Sequence, residues 1–204
     1  MKKVTTLLFD IGNVFIYADH EITHEHLIEK YNIPKDKVEL FYKIPDYINF
    51  SEGKISGEEF SQSVKKVMDK PDLTIEQVRF AHDIHLVRPI KEAIDTLNSI
   101  YDRKKYKIAV ITNTNAWQNE KIDEMIDFSK YSNIFIKSNE VGMTKRNLEI
   151  FRMALKQIGN NNVLFIDDSD ENIKTAKSLG IESLKVTKNE PHLRENLIKI
   201  GLQV

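Results

Sequence analysis

Five short apolar runs, each ending in polar residues, constrain this chain more than any other feature. They are Val4–Phe9, Lys107–Thr112 (KIAVIT), Asn133–Lys137 (NIFIK), Val163–Ile166 (VLFI) and Ser183–Val186 (SLKV), with helical patterns near 116–128, 147–158 and 170–179 between the last four. The first run is β-rich and apolar and reads as a buried strand. Alternation of strands with helices argues an α/β fold, a doubly wound parallel sheet covered on both faces. In such folds a ligand sits at the carboxyl ends of the strands, beside helix amino termini, so the residues just after each run are read together. Those residues are Asp10, Thr112 with Asn113, and Asp167 with Asp168.

Between the first run and the second, the pattern changes. From about His20 to Asn98 the signals are helical, with no convincing strand. Glu21–Tyr31 is amphipathic, Ser56-Gly57-Glu58-Glu59 and Thr74-Ile75-Glu76-Gln77 fit capping boxes, and Pro34, Pro45, Pro71 and Pro89 punctuate the helices. The expectation is a core of residues 1–16 and 89–204 interrupted by an all-helical insertion over 17–88.

Composition narrows the function classes. Hydrophobic residues make up 41% of the 204 and charged residues 30%, enough for a packed core. Lys and Arg number 30 against 31 Asp and Glu, so no global basic field draws the chain to nucleic acid or to an anionic membrane. With no cysteine, thiolate nucleophiles, disulfides and Cys-based metal sites are excluded, and a cytoplasmic location is expected. Met1-Lys2-Lys3 and the apolar stretch after it resemble the start of a signal peptide, but Asp10 interrupts the run. No run approaches the ~18 apolar residues needed to span a bilayer. A monomer or homodimer is expected.

Taken singly, each strand-end residue has an ordinary explanation. Asp10 in Phe9-Asp10-Ile11-Gly12-Asn13 would cap a loop, with Gly12 letting the backbone approach a ligand. Thr112-Asn113-Thr114-Asn115 would be an N-cap cluster, or a set of donors for phosphate oxygens. Asp167 and Asp168 are adjacent acids that repel one another unless a partner such as a divalent cation neutralises them. Lys145, in Val141-Gly142-Met143-Thr144-Lys145, precedes a helix.

Together, in this order, these residues resemble the four signature motifs of the haloacid dehalogenase-like superfamily. The resemblance runs from Thr5 to about Val186, with the helical insertion where that family carries its cap. Glu52-Gly53-Lys54-Ile55-Ser56 with Glu59-Phe60, and Gly142-Met143-Thr144-Lys145, further resemble bacterial sugar-phosphate phosphatases of the superfamily. The resemblance implies a Rossmann-like core and Mg2+-dependent hydrolysis of a small phosphorylated metabolite. Asp10 would be the nucleophile that forms an aspartyl-phosphate. Thr112 and the Asn113 amide would hold the phosphoryl oxygens, and Lys145 would offset charge. Asp10, Asp168 and the Gly12 carbonyl would bind Mg2+, with Asp167 a further ligand or a supporting acid and Asn172 steadying Lys145.

Two departures stand out. The family's phosphatases carry a second Asp as general acid two positions after the nucleophile, where this chain has Gly12. Arg146-Asn147 follows Lys145 in place of the frequent Pro-Asp. Lack of the second Asp is shared with metal-independent 2-haloacid dehalogenases, an alternative weakened by Asp167-Asp168, which would stand unneutralised beside Asp10 in a metal-free site. A non-catalytic binding module on the same fold is the other alternative. His20-Glu21-Ile22-Thr23-His24 matches the HExxH zinc pattern letter for letter, but it is read as a surface helix, with His20 or His24 facing the active site as a further reading. Trp117 is assigned to core or surface packing ahead of an edge of the substrate pocket, and the group Phe41, Tyr42, Tyr47 and Phe50 to helix packing.

Overall fold

In a computed structural model describing residues 3–160, 162–187 and 192–204, strand β1 (Thr6–Phe9) is the centre of a five-stranded sheet. Its neighbours are β4 (Lys107–Thr112) and β6 (Val163–Asp167), with β5 (Phe135–Lys137) and β7 (Glu182–Lys185) outside them, in the order β5-β4-β1-β6-β7. All four pairings are parallel. Phe9 pairs with Val110 on one side and Ile166 on the other, so Asp10 leaves the sheet beside Asp167.

Alternate residues of a strand point to opposite faces, so a strand buried on both sides needs apolar side chains at every position. Leu7, Phe9, Val110, Leu164 and Ile166 join one core with α6 (Lys91–Arg103) and α11 (Leu193–Lys199). Leu8, Ala109, Ile111, Val163 and Phe165 join a second with α9 (Leu148–Ile158) and α10 (Asp170–Ser178). This division explains why the central runs are continuously apolar.

The insertion consists of α1 (His20–Tyr31), α2 (Lys35–Val38), α3 (Pro45–Ser51), α4 (Gly57–Met68) and α5 (Ile75–Asp83) around a separate apolar cluster that includes Leu27, Phe41, Phe60 and Val78. Both capping boxes form, Ser56 with Glu59 and Thr74 with Gln77. The stretch read as wholly helical nevertheless contains a strand. Here β2 (Ile16–Ala18) and β3 (Leu86–Pro89) pair antiparallel, Ile16 with Pro89 and Tyr17 with Arg88, and form the ribbon by which the chain enters and leaves the cap. Three- and four-residue strands are too short to show a period, and their stability comes from a partner distant in sequence. The helix expected over 116–128 is also shorter: α7 (Ala116–Met125) stops at Ile126, and a 3-10 turn follows over Phe128–Lys130. A short α8 (Ser138–Val141) follows β5 directly. Among the described residues, no helix is long and apolar enough to cross a membrane.

Two glycines set the cap against the core. A Cβ on Gly57, the first residue of α4, would lie 2.4 Å from the Trp117 indole of α7. One on Gly53, whose φ is +64°, would lie 2.2 Å from the main-chain oxygen of Asn139 on α8. Trp117 is buried in the cap's apolar cluster, so the packing role expected of it is exercised against the cap. Gly57→Ala is expected to lower stability by about 1–3 kcal/mol through overpacking against the indole, measured by urea denaturation. An unchanged midpoint would show that the indole yields at no cost.

Candidate active site

The carboxyl ends of β1, β4 and β6 deliver Asp10, Thr112 and Asp167 to one edge of the sheet. Lys145 reaches them from the loop between α8 and α9. Its ammonium lies 2.5 Å from Asp10 Oδ1 and 2.7 Å from Asp167 Oδ2, and its side chain is 2% exposed. A lysine that long is held so deep only because its backbone is fixed as well. The Lys145 N–H donates to Asn113 Oδ1 at 2.8 Å, the preceding Thr144 N–H donates to the cap residue Glu52 at 3.3 Å, and Asn147 caps α9.

Asp167 is fully buried, and both its oxygens are engaged. Oδ2 receives Lys145, Oδ1 receives the Ser169 N–H at 2.8 Å, and the Asn172 amide donates to both at 3.1 Å. Asn172 thus meets Lys145's acid partner, not Lys145 itself. Asp168 turns the other way, its Oδ2 receiving the Asn13 amide at 2.9 Å. Thr112 is buried, and its hydroxyl's bond to the Asn113 carbonyl is a long 3.5 Å, so the hydroxyl is weakly engaged. Gly12 has no left-handed φ, and a Cβ there would meet only Asp10 Oδ2 at an ordinary 3.8 Å. Neither backbone conformation nor internal packing requires glycine at that position.

Asp10, Asp167 and Asp168 each place a carboxylate oxygen within 4.8 Å of the others. Two of the three acids, Asp10 and Asp167, share the Lys145 ammonium. Burial raises the Asp10 carboxyl to about 7, with Lys145 opposing the rise and Asp167 and Asp168 adding to it. Burial also raises Asp168, against its bond from Asn13. For Lys145, burial alone would favour loss of the proton, but Asp10 and Asp167 more than offset it and its pKa is raised. The surplus negative charge and all-oxygen donor set suit a hard divalent cation. Among the described residues this is the one group of three or more potential ligands with such spacing. In the HExxH segment, by contrast, His24 lies 3.3 Å from Glu21, and His20 stacks on Tyr42 with ring centroids 4.0 Å apart.

A cavity of about 490 Å3 opens beside these groups, lined by Tyr42, Lys43 and Tyr47 from the cap and Asn113, Arg146 and Asn172 from the core. Behind Tyr42 lies a polar seam absent from the sequence reading. Asn115, the cap of α7, donates to His82 Nε2 (3.1 Å), and Gln118 donates to His85 Nε2 (3.2 Å). The opposite ring nitrogens meet Asp83 and the His82 carbonyl, so a proton on Nδ1 of each ring would satisfy both contacts. Burial, with His82 and His20 nearby, holds His85 well below the usual histidine range. Ser138 also joins core to cap, accepting from the Thr114 N–H (2.8 Å) and donating to the Ser51 carbonyl (2.6 Å). Lone histidines and amides at no regular spacing give no sequence signal for such contacts.

The chain belongs to the haloacid dehalogenase-like hydrolase family, whose pattern it matches over residues 4–180. It is 24% identical over 196 residues to the D-ribitol-5-phosphate phosphatase of Bacteroides thetaiotaomicron, covering 89% of this chain and 91% of that enzyme. The crystal structure of a haloacid dehalogenase family enzyme from the same bacterium, a magnesium complex, superposes with a TM-score of 0.81 at 26% identity, covering 93% of this chain and 96% of that one. A predicted haloacid dehalogenase-like family hydrolase from Porphyromonas gingivalis superposes at 0.83 with 22% identity, covering 98% of this chain and 100% of that one.

The raised Asp10 carboxyl has a consequence for stability. Between its unfolded value near 3.8 and about 7 the folded state holds a proton that the unfolded chain has released, so this group's contribution falls as pH rises through that window and is flat above it. Asp10→Asn removes the term. In EDTA, the melting temperature of the variant relative to wild type is expected to climb from pH 4 to pH 7. A constant difference across that range would show an ordinary Asp10 pKa.

Proposed function

We propose that this hydrolase is a Mg2+-dependent phosphatase acting on a small phosphorylated metabolite, a sugar or polyol phosphate, through an aspartyl-phosphate on Asp10. The observation that carries this reading is the buried lysine shared by Asp10 and Asp167, with Asp168 and the weakly engaged Thr112 hydroxyl at the same sheet edge. The relative of B. thetaiotaomicron is a phosphatase of a polyol phosphate, and the magnesium-bound enzyme shares more than a quarter of its residues with this chain. A related crystal structure of that enzyme, at 26% identity, holds magnesium with inorganic phosphate.

In this reading residues 1–16 and 89–204 form the catalytic core and 17–88 the cap that closes over the substrate. Lys145 holds Asp10 Oδ1, which leaves Oδ2 to attack phosphorus as the ester oxygen departs. The Thr112 hydroxyl and the Asn113 amide orient the phosphoryl oxygens, and the Lys145 ammonium stabilises the charge that builds on them. Water then cleaves the acyl phosphate and regenerates Asp10. Asp10, Asp168 and the Gly12 carbonyl would hold Mg2+, with Asp167 supporting; when bound, the ion supplies the positive charge that offsets the acids and the transferring group.

No acid stands at Gly12 to protonate the departing oxygen. Turnover is therefore expected to rise steeply as the leaving group becomes a weaker base, so that p-nitrophenyl and anomeric phosphates outpace primary alkyl phosphates. The test is phosphate release from such a panel, with Mg2+ and with EDTA, for wild type and Asp10→Asn. Release that needs the metal and drops by about 10^3-fold or more in the variant is the expected result. Halide release from 2-haloacids without metal would replace this reading with dehalogenation, and no turnover of any substrate would replace it with a binding role.

A further inference from the structure

Asn13 occupies an unusual position three residues after Asp10. Its φ is +51°, in the left-handed region that asparagine tolerates and most residues avoid, and its N–H donates to the Ile16 carbonyl at 2.7 Å to close the turn that follows β1. Closing the turn needs only the backbone, and glycine would serve. The side chain is used for something else. Its Oδ1 accepts from the Ala18 N–H at 3.0 Å, and its Nδ2 donates to Asp168 Oδ2 at 2.9 Å.

One planar amide therefore spans two structures. On one side is the last residue of β2, half of the ribbon through which the chain enters and leaves the cap. On the other is the only acid of the cluster not bonded to Lys145. The amide is rigid, so any shift of the Ala18 N–H that pulls on Oδ1 also rotates Nδ2 and with it the Asp168 carboxylate. Asp168 has one oxygen tethered by this bond, and its carboxylate lies within 4.8 Å of those of Asp10 and Asp167. Asp167, by comparison, is fixed by Lys145, Ser169 and Asn172, all from the core.

We propose that Asn13 is a positioning residue that holds the Asp168 carboxylate from the cap hinge, so that divalent-cation binding at the acid cluster and order in the β2–β3 ribbon are linked. The inference rests on the reading of Asp168 as a metal ligand. Linkage is reciprocal: if the hinge sets the carboxylate, an ion that binds the carboxylate must tighten the hinge. Groups that orient metal ligands in this way change affinity by about 10–100-fold when removed.

Asn13→Gly tests this with the fold preserved, because glycine adopts the same φ at no cost and keeps the backbone turn. Magnesium affinity is read by calorimetry on wild type and variant, and exchange of the Ala18 amide by NMR with and without Mg2+. The expected result is about 10-fold or greater loss of Mg2+ affinity in the variant, together with slowing of Ala18 exchange by Mg2+ in the wild type and none in the variant. Wild-type affinity retained within about twofold in Asn13→Gly, or an Ala18 amide indifferent to Mg2+ in the wild type, overturns the inference and leaves the proposed ligands standing. Absence of Mg2+ binding by the wild type overturns the ligand role of Asp168, and this inference with it.

Discussion

The rest of the site depends on an ammonium buried between two carboxylates. Lys145, 2.5 Å from Asp10 and 2.7 Å from Asp167, is the buried cation of a cluster with three acids. Taking a lysine out of water costs several kcal/mol unless its geometry is closely held, and removing its partners would strand it. The fold meets this requirement by register. Parallel pairing of β1 with β6 puts Asp10 beside Asp167, and the loop before α9 brings Lys145 across both.

Around that core of charge the chain uses neutral amides. Asn113 holds the Lys145 backbone, Asn172 holds Asp167, Asn13 holds Asp168, and Asn115 caps α7 while engaging a cap histidine. Amides suit this task because they supply donors and acceptors without adding to the charge imbalance. A carboxylate in any of these places would deepen the repulsion that already raises Asp10, and a further cation would compete with Lys145 for the acids. Amides serve the seam with the cap as well, where Asn115 and Gln118 meet the imidazoles of His82 and His85.

What the sequence disclosed follows from how far each feature reaches. Val4–Phe9 and Val163–Ile166 were legible because a strand buried on both faces must be apolar throughout, and Asp10, Thr112 and Asp167 because strand ends are where the polarity changes. The capping boxes of α4 and α5 are local and were read in full. The ribbon of β2 and β3 was not, since neither strand has a pattern without its partner. Nor were the separate settings of Asp167 and Asp168, neighbours in sequence that face different amides. Asn13 was visible only as the residue after a glycine; its left-handed φ and its two bonds exist only once β2 and the strand β6 that leads to Asp168 are in place.

Gly12 bears on the same balance of charge. The proposed mechanism lacks an acid at this position, yet nothing in the packing forbids one, because a Cβ would rest 3.8 Å from Asp10 Oδ2 with no other atom close. Charge offers the physical reason. A carboxylate at residue 12 would be a fourth acid in a cluster served by one lysine, and it would push the proposed nucleophile, already raised to about 7, further toward its protonated and unreactive form. In the proposed mechanism glycine would give up assistance to the leaving group and keep Asp10 ionisable near neutrality. That exchange would favour substrates whose leaving oxygen departs readily on its own, held against the cap residues Tyr42, Lys43 and Tyr47 that line the other wall of the cavity.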